Sequence, residues 1–208
     1  MTKVKICGIT NPDDARRAAD LGADMLGFNF FEGSSRYLAP SAAYGIGGVI
    51  PAGILKVGVF VNARSQSISE IVAFAGLDAV QLHGDEDAAF IRELRNETGA
   101  KVIKAFRVGP NPANFPVGKF DADFILLDTF SADAYGGTGN AFDWKIATEV
   151  WDMPANGFLA GGLTPENVNA AIEIARPFAV DVASGVESSP GIKDPRKLEA
   201  FISIAKKT

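Results

Sequence analysis

Residues 3–30 read KVKICGITNPDDARRAADLGADMLGFNF, and this stretch decides the fold because it combines two strand patterns with one helix pattern. The runs at its two ends, KVKICGI and DMLGFNF, are rich in Val, Ile and Phe, which favours β-strands. Between them Asn11 is a good helix cap, and Pro12 suits the first helical position. The stretch therefore predicts a strand–helix–strand unit.

The same alternation recurs along the whole chain. Two connecting stretches are poor helices, since 41–53 is rich in glycine and 109–120 holds three prolines and is interpreted as a turn. Eight alternations within 208 residues, with no linker between them, predict one (β/α)8 barrel domain over 1–208, and an open doubly wound sheet is the alternative. The six further strand patterns lie at 55–61, 78–84, 101–108, 123–129, 157–162 and 179–186.

Composition restricts the class of protein. The net charge is −5 and no basic residues cluster into a stripe, so nucleic acid is not an expected partner. No apolar run reaches the length of a membrane span, and the first residues lack the pattern of a signal or transit peptide. A single cysteine cannot form an internal disulfide, which suits a reducing compartment. We expect a cytoplasmic protein without a membrane partner.

Polar residues at strand ends are the candidates for chemistry, because barrel enzymes place their active sites there. Strand alternation turns Val4 and Ile6 toward the helices, and it turns Lys5 and Cys7 toward the interior of the barrel. By composition alone the lone thiol of Cys7 would be a small buried hydrophobe. Its place at the predicted mouth makes it a candidate reagent instead.

Four other polar side chains follow strands in the same way. Asp128 ends the apolar run FILL and suits either a general acid or a turn cap, and Asp181 holds a comparable place on the eighth strand. His83 is the only histidine, so it suits acid–base chemistry, substrate positioning or a structural role. Arg36 lies in the loop after the second strand, where its planar fork suits a carboxylate, although loop arginines are usually solvated.

Two glycine-rich loops follow the last two strands. They contain Gly161–Gly162 and Ser184–Gly185, in the position where such barrels often bind phosphate through backbone N–H groups. Tight turns alone would also explain either loop, but two neighbouring loops favour a phosphate monoester. The segment GGTGN (136–140) lacks the ending of a P-loop and is interpreted as a flap. The chain shows no metal-ligand spacing and no dinucleotide fingerprint, so we expect no metal and no cofactor.

Seven motifs in this order resemble the phosphoribosylanthranilate isomerase family of tryptophan biosynthesis over about residues 3–202. The resemblance implies a cofactor-free Amadori rearrangement of an aminoaldose, N-(5'-phosphoribosyl)anthranilate, to the aminoketose 1-(2-carboxyphenylamino)-1-deoxyribulose 5-phosphate. It also implies a monomer, with a homodimer as the alternative. The motifs are KICGIT, GFNFFEGSSRYL, VGVFVN, VQLHGDE, LLDT with GGTG and FDW, LAGGLTPENV and DVASGVESSPGIKD.

The same resemblance implies roles for individual residues. It makes Cys7 the general base, Asp128 the general acid and Arg36 the ligand of the substrate carboxylate, while the two glycine-rich loops bind the phosphate. A thiol with a pKa of about 8.5 needs some depression to supply thiolate at neutral pH. We expect Lys5 and the cationic Schiff base of the bound substrate to lower the pKa of Cys7.

Two positions depart from the family pattern, and two other functions compete with the implied one. Ser35 stands where the family usually has proline, and Asn140 stands where it commonly has lysine, which leaves the two loop conformations open. An isomerase of histidine-pathway aminoaldoses would use a pair of aspartates, against which Cys7 speaks. A non-catalytic phosphosugar-binding barrel would need neither Cys7 nor Asp128.

Overall fold

Eight parallel strands close into a barrel in which every strand pairs with its neighbours in chain order, as predicted. The structure, a computed structural model, describes residues 1–108, 120–129, 144, 147–148 and 156–208. The strands are β1 (Lys3–Cys7), β2 (Met25–Asn29), β3 (Leu55–Phe60), β4 (Ala79–Leu82), β5 (Lys101–Val108), β6 (Phe124–Thr129), β7 (Gly157–Leu159) and β8 (Ala179–Val182).

Six described helices of eight or more residues connect the strands or follow the last one. Asn11 caps the first helix by accepting a hydrogen bond from the Asp14 amide, and Asp194 caps the last one through the amides of Arg196 and Lys197. No described helix is long and apolar enough to cross a bilayer. The helices are α1 (Pro12–Asp20), α2 (Pro40–Gly47), α3 (Ser65–Ala75), α4 (Ala88–Thr98), α5 (Val168–Ala175) and α6 (Pro195–Lys207).

The connections at α2 and before α5 depart from what their local sequence favours. A helix forms at α2 despite its glycines, and it begins at Pro40. Thr164 and Pro165 have the composition of a helix start, yet α5 begins only at Val168. The Asn167 side chain accepts from the Thr164 amide and donates to the Gly162 carbonyl, which holds the intervening residues in a turn. The predicted turn at 109–120, apart from its last residue, and the predicted flap at 136–140 lie outside the described residues.

The apolar residues form two cores on opposite faces of the barrel. The larger core packs strand residues such as Val4 and Ile6 against the helices, in agreement with the predicted alternation. The smaller core fills the barrel interior with residues such as Met25 and Phe158, many of them from the strand beginnings. The N-terminal end of the barrel is thus closed by apolar side chains, and the polar interior residues are left to its C-terminal mouth.

A short antiparallel hairpin follows β8 and was not predicted. A 3-10 turn (Ser184–Val186) leads into β9 (Glu187–Ser189), which pairs with β10 (Ile192–Lys193). In this register Glu187 lies opposite Lys193. Strands this short show no periodicity from which a sequence pattern can be recognised. The hairpin matters because both of these charged side chains turn out to be buried beside the mouth.

Candidate active site

One cavity at the C-terminal mouth brings together all the site residues proposed from the sequence. Cys7 is the last residue of β1, Asp128 and Asp181 are the penultimate residues of β6 and β8, and His83 directly follows β4. The cavity lining includes Cys7, Arg36, His83, Asp128, Gly161, Gly162, Asp181, Ser184 and Gly185.

A buried ion pair lies beneath Cys7. The Nζ of Lys5 donates to Oδ1 of Asp181 over 2.9 Å, and the Lys5 side chain is completely buried. On the neighbouring strand a Cβ at Gly27 would lie 2.9 Å from Cys7 Sγ and 3.2 Å from Lys5 Nζ. Glycine at this position therefore leaves the room that the thiol and the ammonium group occupy side by side.

The pKa of the Cys7 thiol lies above its ordinary value. Burial is the main cause, since the thiolate loses its hydration, and the negative charge of Asp181 acts in the same direction. Lys5 and Lys193 lower the pKa of Cys7, but they do not outweigh burial. Lys5 thus acts in the expected direction without making the free thiol acidic. In the absence of substrate Cys7 is predominantly a thiol at neutral pH.

We expect Lys5→Met to raise the pKa of Cys7 further, because it removes a positive charge that favours the thiolate. The rate of Cys7 alkylation by iodoacetamide should then rise with pH along a curve that is displaced to higher pH than in the wild type. Because Cys7 is the only cysteine, mass spectrometry reports this one site. Lys3→Met, on the same strand at the exposed Lys3–Asp24 pair, is the matched control and should leave the curve in place. An unchanged pH dependence of Cys7 alkylation in Lys5→Met would show that the charge of Lys5 does not stabilise the Cys7 thiolate.

His83 lies between Gln81 and Asp128, and all three side chains are buried. Its Nδ1 lies 2.9 Å from Nε2 of Gln81. Its Nε2 lies 3.3 Å from Oδ2 of Asp128 and makes no hydrogen bond to the described residues. Gln81 thus satisfies one side of the ring, whereas the nearby Asp85 pairs with Arg107. His83 therefore contacts the carboxyl group that is the candidate acid.

A second buried ion pair, not foreseen from the sequence, holds the loop that follows His83. Lys104 donates from Nζ to Oε2 of Glu86 over 2.7 Å and to the Gly84 carbonyl over 2.8 Å. The other carboxylate oxygen of Glu86 accepts from the Asn62 amide. This pair joins the loops after β3 and β4, and it keeps the backbone next to His83 in one position.

Arg36 is held at the mouth although Ser35 replaces the usual proline. The Asn29 side chain donates to Oγ of Ser34, which in turn accepts from the Arg36 amide over 3.1 Å. The side chain of Arg36 packs against Gly8, where a Cβ would lie 2.6 Å from Arg36 Cδ. The loop is therefore fixed by hydrogen bonds and by the close approach of Gly8, and no proline is needed.

Glu187 binds Arg36 from the side, and sequence reasoning did not single it out. Both carboxylate oxygens of Glu187 accept from the guanidinium, with Nε–Oε1 and Nη2–Oε2 separations of 2.8 and 2.7 Å. Lys193 donates to Oε1 of Glu187 over 2.9 Å. Glu187 lies within the quoted motif DVASGVESSPGIKD, but only its pairing across the short hairpin indicates what it does.

The two glycine-rich loops follow the neighbouring strands β7 and β8 and lie against each other. Gly161 and Gly162 have φ angles of +83° and +64°, which glycine adopts without strain. A Cβ at Gly185 would lie 1.8 Å from the Leu163 carbonyl oxygen, so the loops touch through their backbones. This contact exposes backbone rather than side chains to the cavity. Among the described residues no group of three His, Cys, Asp or Glu side chains is arranged to hold a metal.

Comparison with known proteins agrees with this arrangement. The family model described as N-(5'-phosphoribosyl)anthranilate (PRA) isomerase matches residues 4–204. The chain belongs to the PRA isomerase family. A curated PRA isomerase from Trichlorobacter lovleyi is 45% identical, with 99% of this chain and 98% of the relative aligned.

Solved structures of the PRA isomerase family share the whole fold. The enzyme from Thermus thermophilus superposes with a TM-score of 0.90 at 36% identity and 99% coverage of both chains. A PRA isomerase in complex with reduced 1-(o-carboxyphenylamino)-1-deoxyribulose 5-phosphate superposes with a TM-score of 0.86 at 39% identity, with full coverage of both chains. Monomers generated from the dimeric enzyme of Thermotoga maritima give 0.85 at 39% identity, again with full coverage. The family thus includes a dimeric member.

Proposed function

We propose that this protein isomerises PRA to 1-(2-carboxyphenylamino)-1-deoxyribulose 5-phosphate in tryptophan biosynthesis, using Cys7 as general base and Asp128 as general acid. The observation that carries the proposal is the single cavity that Cys7 and Asp128 line together with Arg36 and the glycine-rich loops. PRA has a carboxylate at one end and a phosphate at the other. Binding of the carboxylate by Arg36 and of the phosphate by the glycine-rich loops would place its ribose against the thiol and the carboxyl group.

The first chemical step opens the ribose ring. Asp128, in its protonated form, donates a proton to the furanose ring oxygen while the bond from that oxygen to C1' breaks. The electron pair of the anthranilate nitrogen forms the new double bond to C1', which gives a cationic Schiff base. His83 contacts Asp128 and would keep its carboxyl group directed at the ring oxygen.

The second step removes the proton from C2'. Cys7 accepts it as the thiolate, the C2'–H electron pair neutralises the Schiff base, and the resulting enolamine tautomerises to the ketone. Because burial disfavours the thiolate in the free enzyme, the cationic Schiff base next to Cys7 would supply the charge that favours it. The order of steps follows, since ring opening by Asp128 creates the cation that activates Cys7.

The test is direct conversion of PRA, prepared from anthranilate and ribose 5-phosphate, with chromatographic separation of substrate and product. It is paired with complementation of a tryptophan auxotroph that lacks only this isomerase. Conversion and growth are expected. A folded, soluble protein that fails in both tests would reject the function, and turnover of a histidine-pathway aminoaldose in place of PRA would favour the competing isomerase.

Phosphate binding is expected to depend on Gly185. The Cβ of Gly185→Ala would overlap the Leu163 carbonyl, so the two loops must separate. We expect KM for PRA to rise about tenfold or more, because one or two charge-assisted hydrogen bonds to the phosphate would be lost. Gly45→Ala is the matched control, because its Cβ would meet nothing within 4 Å and it lies inside α2. This control should keep KM and raise the melting temperature, and an unchanged KM in Gly185→Ala would remove the loop from the phosphate site.

We propose that residues 1–208 act as one catalytic domain in the cytoplasm, without metal or cofactor. The lone cysteine and the absence of a spanning helix among the described residues support this setting. A monomer is our proposal for the quaternary state, and light scattering after size-exclusion chromatography distinguishes it from a dimer of the kind known for Thermotoga maritima.

A further inference from the structure

The guanidinium of Arg36 has two edges that can each bind a carboxylate, and the protein uses only one of them. Glu187 occupies the edge formed by Nε and Nη2 through bonds of 2.8, 3.1 and 2.7 Å. The other edge is formed by Nη1 and the second N–H of Nη2, and it makes no hydrogen bond to the residues that the structure describes. Two parallel N–H groups on this edge match the spacing of a second carboxylate.

Glu187 is itself held from behind by a buried cation. The side chains of Glu187 and Lys193 are 4% and 0% exposed, and their charged atoms lie 2.9 Å apart. The Nζ of Lys193 also donates to the Cys7 carbonyl over 2.6 Å, and the Lys193 amide donates to Asp14 on α1. The hairpin thus connects the carboxylate-binding arginine with the backbone of the candidate base.

The charges of the three groups suit an anionic ligand. Burial disfavours ionisation of Glu187, but Arg36 and Lys193 outweigh it and hold the pKa of Glu187 below its ordinary value. The hydrogen bonds from Arg36 to Glu187 raise the pKa of Arg36. Two cations and one anion leave one net positive charge beside the cavity. A carboxylate that binds Arg36 can therefore gain from this charge although Glu187 is already bound there.

We propose that Glu187 is a positioning residue that sets the specificity for the anthranilate carboxylate, by holding the Nε–Nη2 edge of Arg36 so that the Nη1–Nη2 edge meets the substrate. A free arginine side chain would lose rotamer entropy on binding, whereas the bound one has lost it already. This inference rests on the proposed function, since it takes Arg36 as the ligand of the substrate carboxylate. Glu187 does not line the cavity and acts only through Arg36.

The test compares two substrates in Glu187→Gln. One is PRA, and the other is N-(5'-phosphoribosyl)aniline, which lacks the carboxylate and is prepared in the same way from aniline. We expect KM for PRA to rise about tenfold, because one charged hydrogen-bond pair is lost, while kcat stays within about twofold of the wild type. The kcat/KM for the aniline substrate should change by less than about twofold. Glu97→Gln, an exposed glutamate that joins α3 to α4, is the matched control and should alter neither substrate.

Three further variants exclude a merely structural role. Arg36→Met should raise KM for PRA, and adding Glu187→Gln to it should raise KM no further, because the second residue acts through the first. If Glu187→Gln does not fold, Glu187→Asp keeps the charge that Lys193 needs and shortens the reach to Arg36. The same selective rise in KM is then expected. Equal losses on both substrates, or no loss on PRA, would overturn the inference, whereas a wild-type protein inactive on PRA would reject the proposed function instead.

Discussion

Replacing Cys7 by serine is expected to abolish nearly all turnover while the protein remains folded. The hydroxyl group is smaller than the thiol, so it fits beside Gly27 and Lys5 without a clash. An alcohol is far less acidic than a thiol, however, and the burial that already raises the pKa of Cys7 would disfavour an alkoxide even more strongly. Loss of a general base lowers kcat by about 10²–10⁴-fold, and we expect a loss in the upper part of this range.

The measurement separates catalysis from binding and folding. KM for PRA, or the Kd of the reduced product analogue, should change little, because Arg36 and the glycine-rich loops are untouched. The melting temperature should stay within a few degrees of the wild type. Saturating product analogue should also slow the alkylation of wild-type Cys7. Near-normal kcat in a folded Cys7→Ser protein would exclude Cys7 as the base.

Strand alternation accounts for how much of this site was predictable. A barrel mouth was inferred from eight strand patterns, and each polar residue at a strand end could be placed by counting in steps of two. Val4 and Ile6 do pack under the helices, while Lys5 and Cys7 point into the barrel. Arg36 and the glycine-rich loops were found because loops after parallel strands converge at one end of a barrel.

The features of the site that could not be predicted from the sequence depend on long-range contacts, which leave no local sequence pattern. Glu187 and Lys193 meet across a hairpin of two- and three-residue strands, and Arg36 comes from a loop some 151 residues earlier in the chain. The Lys104–Glu86 pair likewise joins separate strands. The raised pKa of Cys7 was also unpredictable, because burial depends on the packing of the whole barrel.

Helix α5 shows the limit of local signals. Thr164 and Pro165 have the composition of a helix start, yet the helix begins at Val168. The Asn167 side chain instead accepts from the Thr164 amide and donates to the Gly162 carbonyl, directly after Gly161 and in the stretch where both glycines are left-handed. A tertiary requirement, the close approach of this loop to Gly185, thus overrides the local preference for a helix.

The remaining large effect is expected at Asp128. Asp128→Asn preserves the shape beside His83, but an amide cannot transfer a proton to the ring oxygen of PRA. We expect kcat to fall by about 10²–10⁴-fold with little change in KM or melting temperature. Asp85→Asn, at the exposed Asp85–Arg107 pair, is the matched control for the same substitution and should keep its activity.

A second substrate assigns the lost step in Asp128→Asn. The aminoaldose formed from anthranilate and 4-deoxyribose 5-phosphate has no 4'-hydroxyl group, so it cannot close a furanose ring and exists as the open-chain Schiff base. Ring opening by Asp128 is then unnecessary. We expect the deficit in kcat of Asp128→Asn against the wild type to be smaller on this substrate than on PRA, by about tenfold or more. Cys7→Ser should recover nothing, because C2' still carries the proton that Cys7 must remove. An equal loss of kcat by Asp128→Asn on both substrates would show that Asp128 does not act in ring opening. Recovery of kcat by Cys7→Ser on the second substrate would instead assign ring opening to Cys7 and proton removal to Asp128.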